Sequence, residues 1–195
     1  MTQPVRSVAV FCGTRLGHSP VHRAAAAAFG TGLAESGLSL VYGGGSIGLM
    51  RAVADAALEA GGIVHGVIPD FLSRSEKPHP GLTTLEITDS MHARKRRMFE
   101  LADAFVTLSG GLGTLDETVE VLTWRQLGLH DKPILLLDLD GWARPFVALV
   151  ESVIRQGFVA PADRRLFEVV GDVAAALRLL TRTPSRPVAV EAARL

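Results

Sequence analysis

A glycine cluster stands where a predicted strand gives way to a predicted helix. Ser109-Gly110-Gly111-Leu112-Gly113-Thr114 follows an apolar run and precedes a helical pattern. Backbone N–H groups at a helix start have no intrahelical acceptor and attract anions, and the Thr114 hydroxyl can join them. We therefore predict a phosphate-binding loop at this cluster.

Glu117 follows Thr114 by three residues and has two interpretations. Thr-x-x-Glu at a helix start is typical of a capping box, which needs no ligand. One helical turn rises about 5.4 Å, so this carboxylate would also lie close to the ribose of a nucleotide whose phosphate binds the helix start. A carboxylate there can oppose the positive charge that develops on ribose when its bond to a base breaks. Local spacing favours the cap and leaves both roles open.

The basic run 94–97 lies within a predicted helix that begins at Met91. Four consecutive side chains point around most of a helix, so one or two of them can face a site and the rest are solvated. Arg94 shares a helix face with Met91 and Met98, near the helix start. We expect Arg94 to lie on the helix surface and to bind a phosphate or a sugar there.

A second glycine cluster, Gly43-Gly44-Gly45-Ser46-Ile47-Gly48, fits the pattern G-x-G-x-x-G between a predicted strand and helix. It follows the second strand rather than the first, and the acidic residue at the expected distance, Asp70, lies in a loop bounded by prolines. These features argue against a dinucleotide site. Gly44, Gly45 and Ser46 are predicted to contact the substrate.

The elements that must position these motifs follow from alternating apolar and helical segments, which predict a mostly parallel sheet with helices on both faces. We predict strands at 7–11, 39–42, 63–68, 83–87, 104–108, 133–137 and 166–170, with 70–80 irregular. Predicted helices span 20–36, 47–61, 91–101, 113–127, 145–156 and 173–181, with Ser19 and Asp172 as N-caps. We expect one Rossmann-like α/β domain over 1–182 and a loosely attached tail over 183–195.

Composition indicates the surroundings in which the protein works. The 20 Lys and Arg balance the 20 Asp and Glu, so net charge favours neither nucleic acid nor an anionic membrane, and we expect neither as a partner. Cys12 is the only cysteine, so no intrachain disulfide forms, and we predict a cytoplasmic protein. The six histidines are scattered, so we predict no metal site.

These residues, in this order, resemble the Lonely Guy family of cytokinin riboside 5'-monophosphate phosphoribohydrolases, long misnamed lysine decarboxylases. The similarity covers almost the whole chain, and the family pattern P-G-G-x-G-T-x-x-E is its most specific part. The matching segments are Phe11-Cys12-Gly13, Val41-Tyr42-Gly43-Gly44-Gly45-Ser46-Ile47-Gly48-Leu49-Met50, Val67-Ile68-Pro69, Met91, Arg94-Lys95, Gly110-Gly111-Leu112-Gly113-Thr114-Leu115-Asp116-Glu117 and Thr123-Trp124-Arg125-Gln126-Leu127-Gly128.

The resemblance implies roles for several residues. Arg94 and Glu117 are similar to the family's catalytic pair. Other positions fall where the family contacts its substrate: Glu76, Lys95, Gly110, Gly111, Leu112, Gly113, Thr114, Leu115, Asp116 and Thr123. A homodimer is expected, paired through helices near the site, and the helix after Thr114 carries the apolar residues Leu115, Val119, Leu122 and Leu127 for such a contact or for covering the sheet.

The chain departs from the family pattern in three places, one of them a pair of adjacent residues. Ser109 replaces the proline of the motif, which frees a backbone rotation and adds an N–H group. Thr14-Arg15 stands where small hydroxyl residues are usual, and Arg51 stands where glycine commonly follows Leu-Met. These changes bear on base or sugar preference more than on the reaction.

The expected function is hydrolysis of the N-glycosidic bond of an adenosine 5'-monophosphate (AMP)-like nucleotide, to free base and ribose 5-phosphate, without a cofactor. AMP and N6-modified cytokinin nucleotides both stay open as substrates. A pyridoxal-phosphate decarboxylase would need a lysine placed for a Schiff base, and only Lys95 lies near the predicted site. A nucleotide-binding carrier or sensor is the stronger alternative, because glycine loops bind phosphate without chemistry.

Overall fold

The computed structural model describes residues 3–182 and 184–185. The strands, in chain order, are β1 (Gln3–Pro4), β2 (Ser7–Phe11), β3 (Ser39–Tyr42), β4 (Val64–Pro69), β5 (Thr84–Thr88), β6 (Ala104–Thr107), β7 (Ile134–Leu137), β8 (Glu168–Val170) and β9 (Pro184–Ser185). Seven of them form one parallel sheet in the order β5-β4-β3-β2-β6-β7-β8, and β1 pairs with β9 as a separate antiparallel ribbon. The predicted α/β fold is confirmed, with a main sheet that is parallel throughout.

Helices cover both faces of this sheet. They are α1 (Pro20–Glu35), α2 (Gly48–Glu59), α3 (Asp70–Ser75), α4 (Met91–Leu101), α5 (Leu112–Gln126), α6 (Arg144–Arg155) and α7 (Val173–Arg182), with a 3-10 helix at Pro161–Leu166. Side chains alternate along β2, so that Val8 and Val10 pack with α1, α2 and α7, whereas Ala9 and Phe11 pack with α4 and α5. The result is a sheet buried on both sides, as a parallel sheet requires.

Local sequence signals explain most helix ends. Pro20 occupies the first turn of α1 after Ser19, whose side chain makes no capping hydrogen bond, and Gly37 at φ +69° follows the helix end. The Ser90 hydroxyl accepts the Ala93 N–H at the start of α4. Asp172 accepts the Ala175 N–H at 2.7 Å, which confirms its predicted capping role at α7.

The strand order reverses between β2 and β6. From β2 the chain builds β3, β4 and β5 outward on one side, then returns to place β6 next to β2 on the other. The loops that follow β2 and β6 therefore diverge, and such a switch point is where open α/β sheets bind ligands. A hydrogen bond of 3.0 Å from the Gly13 N–H to the Ser109 carbonyl ties the two loops together.

Some boundaries differ from those predicted. Residues 70–80, expected to be irregular, begin with α3, whose Asp70 and Arg74 form an i,i+4 ion pair of 2.6 Å. The 3-10 helix was not predicted, and β8 is shorter than expected because that helix occupies the residues before it. Of the tail predicted over 183–195, the structure describes only β9, and the other residues of the tail lie outside the described part of the chain. No described helix is long and apolar enough to span a membrane.

Candidate active site

A cavity of about 280 Å³ opens at the carboxyl ends of β2, β3 and β4 and at the start of α5. It brings together seven of the predicted site residues: Glu76, Arg94, Gly111, Leu112, Gly113, Thr114 and Glu117. A larger cavity of about 480 Å³ lies at the amino ends of β7 and β8 and contains none of them. Size therefore does not locate the site, whereas the position of the charged pair does.

Arg94 and Glu117 form a buried ion pair inside the smaller cavity. The Arg94 Nη2 and Glu117 Oε1 atoms are 3.2 Å apart, and the two residues are 6% and 5% exposed. Arg94 Nε also donates to the Val67 carbonyl at 3.1 Å. The expectation that Arg94 lies on the helix surface is wrong, because its face of α4 packs against β4.

Gly43 makes room for the guanidinium. A Cβ atom built at Gly43 would collide with Arg94 Nη2 and crowd Met50 Cε at 2.9 Å. A side chain here would therefore displace the Arg94 guanidinium and the end of the Met50 side chain. Because Gly43 has no side chain, it leaves the room that the ion pair needs, and no local sequence pattern reveals this requirement.

Glu117 experiences two opposing influences. Burial raises the pKa of its carboxyl group, the Arg94 charge lowers it, and the net pKa lies above the ordinary value for glutamate. An ionised Glu117 is thus poorly hydrated and depends on Arg94. A positive charge brought into the cavity would supply further compensation, and a buried carboxylate can interact with such a charge more strongly than a solvated one.

The start of α5 excludes the capping-box interpretation. The helix begins at Leu112 with Gly111 in the N-cap position, so Thr114 lies inside the first turn instead of capping it. No side chain caps this end, and the amides of the first turn have no intrahelical acceptor. Gly111, Leu112, Gly113 and Thr114 line the cavity, so these groups are available to an anion there.

The other glycine cluster supports a neighbouring loop. Gly44 accepts the His79 N–H at 3.0 Å, Gly45 forms a bridge with Pro78, and the Ser46 hydroxyl donates to the Lys77 carbonyl at 2.7 Å. Gly44, Gly45 and Ser46 do not line the cavity, although Gly43 does. They hold the segment that follows Glu76, and Glu76 itself reaches the cavity wall.

Other predicted site residues lie outside the cavity lining. Lys95 Nζ contacts Asp116 Oδ2 and Glu120 Oε1, each at 3.1 Å, and so links α4 to α5. Thr123 is exposed, and its hydroxyl donates to the Val119 carbonyl. Leu115 and Asp116 also lie outside the lining, while Gly110 borders a second crevice on the far side of the glycine loop.

The lysines of the structure do not match a Schiff-base site. Burial lowers the pKa of Lys95, but its two carboxylate partners outweigh burial and the net pKa is raised, which favours the unreactive ammonium form. Burial lowers the pKa of Lys132 to about 8, yet this residue packs on Phe99 and does not line the cavity. Over the residues that the structure describes, no cluster of His, Cys, Asp and Glu is arranged to hold a metal ion.

Several residues line the cavity besides those predicted to bind substrate. They are Cys12, Gly13, Thr14, Gly43, Met50, Ile68, Leu72 and Met91. Cys12 and Gly13 directly follow β2, and Ile68 is the penultimate residue of β4, so the rule that ligands bind beyond strand carboxyl ends was the signal that could have identified them. Leu72 lies on α3, which was not predicted.

Comparison with known proteins identifies the family of the chain. The family model described as "Possible lysine decarboxylase" matches residues 50–180. A cytokinin riboside 5'-monophosphate phosphoribohydrolase of Rhodococcoides fascians is 44% identical over 92% of this chain and 90% of its own length. An Arabidopsis thaliana protein of the same name is 41% identical over 83% of this chain and 74% of its own length.

Solved structures confirm the fold. The molybdenum cofactor carrier protein of Chlamydomonas reinhardtii superposes with a TM-score of 0.69 over 91% of this chain and 96% of its own, at 23% identity. That identity supports the fold alone, whereas the relatives at 41–44% sequence identity and the family model show the family. The chain therefore belongs to the Lonely Guy family, the cytokinin riboside 5'-monophosphate phosphoribohydrolases whose family model carries the description of a lysine decarboxylase.

Proposed function

We propose that this protein hydrolyses the N-glycosidic bond of AMP-like or N6-modified cytokinin riboside 5'-monophosphates, releasing free base and ribose 5-phosphate. The observation that carries the proposal is the buried Arg94–Glu117 ion pair, 3.2 Å across, beside the uncapped start of α5. Close relatives with this enzymatic name support it.

The phosphate binds the free amides of the first turn of α5, with the Thr114 hydroxyl beside them. This places the ribose over Glu117, which lies farther along the same helix. As the C1'–N bond breaks, positive charge builds on the ribose, and the ionised carboxylate opposes it and orients the attacking water. Arg94 keeps Glu117 ionised and remains close enough to contact the sugar.

The base occupies the remainder of the cavity. Ile68, Leu72 and Met91 provide apolar surface there, and the Glu76 carboxylate provides a polar group. An exocyclic amino group on a purine can donate to such a carboxylate. The same surface can accept an apolar N6 substituent, so plain and N6-modified nucleotides are both proposed substrates.

A carrier or sensor would bind the nucleotide and leave it intact. The resemblance to a molybdenum cofactor carrier concerns the fold, while Glu117 and Arg94 supply groups that simple binding does not require. Incubation with AMP and with N6-prenylated AMP, followed by chromatography, separates the two functions. We expect free base and ribose 5-phosphate in equal amounts. Quantitative recovery of both intact nucleotides, with saturable binding, would establish a carrier instead.

We further propose a cytoplasmic homodimer. Cys12 is a free and buried thiol, in keeping with a reducing compartment. Of the apolar residues predicted for pairing, Val119 on α5 and Leu127 directly after it are exposed, Leu115 is half-buried, and Leu122 is buried against the sheet. The exposed face of α5 and its C-terminal end, formed by Leu112, Val119 and Leu127, is the proposed pairing surface.

A further inference from the structure

A partly buried hydrogen bond joins the glycine loop before α5 to the first helix of the fold. The Ser109 hydroxyl lies 2.8 Å from His22 Nδ1, and Ser109 is only 4% exposed. His22 belongs to α1, 87 residues earlier in the chain. This contact is thus a tertiary link between α1 and the loop that presents the predicted phosphate-binding amides.

The link stands at the position where the family motif has proline. A proline ring fixes φ near −65° and restricts the loop entrance without any partner. Serine has no such restriction, and its backbone loses more freedom when the loop becomes ordered. The hydroxyl bond to His22 provides the restraint from outside the loop.

Neighbouring contacts show that this loop is held from several sides. The Ser109 carbonyl accepts the Gly13 N–H at 3.0 Å, and the Gly110 carbonyl accepts the Trp142 indole N–H at 3.1 Å. A Cβ at Gly110 would collide with the Thr114 hydroxyl, so loop and helix start are packed in contact. A shift at Ser109 is therefore transmitted directly to the amides of α5.

His22 also supports the loop that follows β2. Its ring lies against Gly17, where an added Cβ would come within 3.0 Å of His22 Cδ2. Gly17 has φ +74°, a conformation that favours glycine. One imidazole thus contacts both loops at the switch point of the sheet.

We propose that Ser109 and His22 are positioning residues that together replace the motif's proline and align the amides of Gly111 to Thr114 on the substrate phosphate. The proposal rests on the function proposed above, in that the ligand is a phosphate ester. A hydroxyl can donate to an unprotonated ring nitrogen or accept from a ring N–H, so the bond can form with either tautomer of His22. The pair acts as a fixed restraint on the loop.

A double-mutant cycle tests this pair: wild type, His22→Ala, Ser109→Pro and the double variant. Affinity for ribose 5-phosphate is measured by calorimetry, adenosine serves as the ligand without phosphate, and kcat and KM for AMP are recorded alongside. We expect His22→Ala to weaken ribose 5-phosphate about fivefold, the equivalent of one hydrogen bond, and to leave adenosine unchanged. In the Ser109→Pro background, His22→Ala should have no effect on ribose 5-phosphate, because the ring replaces the bond.

His18→Ala is the matched control, since His18 is an exposed histidine just before α1. Equal weakening by His22→Ala in both backgrounds, or a fall in melting temperature with unchanged ribose 5-phosphate affinity, would overturn the proposal. The binding cycle does not need turnover. If AMP is bound but never cleaved, the proposed function fails while a positive cycle still supports the positioning role.

Discussion

At the scale of single residues, the protein places two opposite charges where neither is well hydrated. Glu117 and Arg94 are each nearly excluded from solvent, and the pair is retained because each compensates the other's lost hydration. The sequence singled out Glu117 by its spacing after the glycine cluster and Arg94 by its place near a helix start, and the family resemblance implied that they form a catalytic pair. It did not reveal that Arg94 is buried, because this depends on its contact with β4 and on the space left by Gly43.

Replacing Arg94 changes the protonation of Glu117 in a defined direction. In Arg94→Gln, burial acts without the opposing cation, so the pKa of Glu117 rises further above its ordinary value. The acid limb of kcat/KM should therefore move to higher pH, and part of the lost activity should return in alkaline buffer. The pH–rate profile of the variant measures this shift.

The pH dependence of the stability of Arg94→Gln should reflect the protonation of Glu117. A carboxyl pKa that is raised in the folded state destabilises the fold at pH values above that pKa, because the unfolded state releases the proton more readily. Protonation of Glu117 removes this destabilisation, so the difference in stability between Arg94→Gln and the wild type should shrink as the pH falls through the pKa of Glu117. Arg96→Gln is the control, because Arg96 pairs with exposed Glu100 on the same helix. An acid limb that stays in place in Arg94→Gln would show that Arg94 does not govern Glu117.

At the scale of elements, the two glycine clusters look alike in sequence and differ in structure. The cluster before α5 leaves uncapped amides facing the cavity, whereas Gly44, Gly45 and Ser46 bind the segment 77–79. Sequence predicted that each cluster joins a strand to a helix. Contacts with distant segments decide which cluster faces the cavity. One example is the hydrogen bond from Ser46 to Lys77, which is 31 residues away in the sequence.

The starts of α7 and α5 also differ in whether nearby residues or a distant partner determine them. Asp172 was identified as the cap of α7 because capping depends on residues within one turn. Thr114 and Glu117 have the spacing of a capping box, yet α5 begins before them and Glu117 turns to Arg94. The Thr-x-x-Glu spacing fits both a capping box and an inward-facing carboxylate, and only the contact of Glu117 with Arg94 distinguishes the two.

At the scale of the whole molecule, the order of the strands brings the motifs together. Residues from the ends of β2, β3 and β4 and from the start of α5 meet because parallel strands share one carboxyl edge. Alternation of apolar and helical segments was sufficient to predict this edge. The exposed apolar face of α5 also depends on the whole fold, because the packing of the helix on the sheet decides which of its sides remain uncovered.

The proposed homodimer predicts a twofold mass by light scattering at micromolar concentration. Val119 and Leu127 are 48% and 67% exposed, so Val119→Glu with Leu127→Glu should convert the dimer to a monomer by placing charges in the pairing surface. Leu149→Glu is the control, because Leu149 is 60% exposed on α6 and outside that surface. A monomeric wild type would refute the homodimer, and a double variant that stays dimeric would place the contact elsewhere.

The most direct test of the account is kcat for AMP hydrolysis by Glu117→Gln, measured beside nucleotide affinity and melting temperature. Glutamine keeps the shape of the side chain and an oxygen that can accept from Arg94, so the fold should persist. Removing the negative charge removes the group that opposes the ribosyl cation, and we expect kcat to fall about a hundredfold or more. Nucleotide affinity should change much less, since the amides of α5 still hold the phosphate. Hydrolysis of AMP by Glu117→Gln at a rate near that of the wild type would contradict the mechanism.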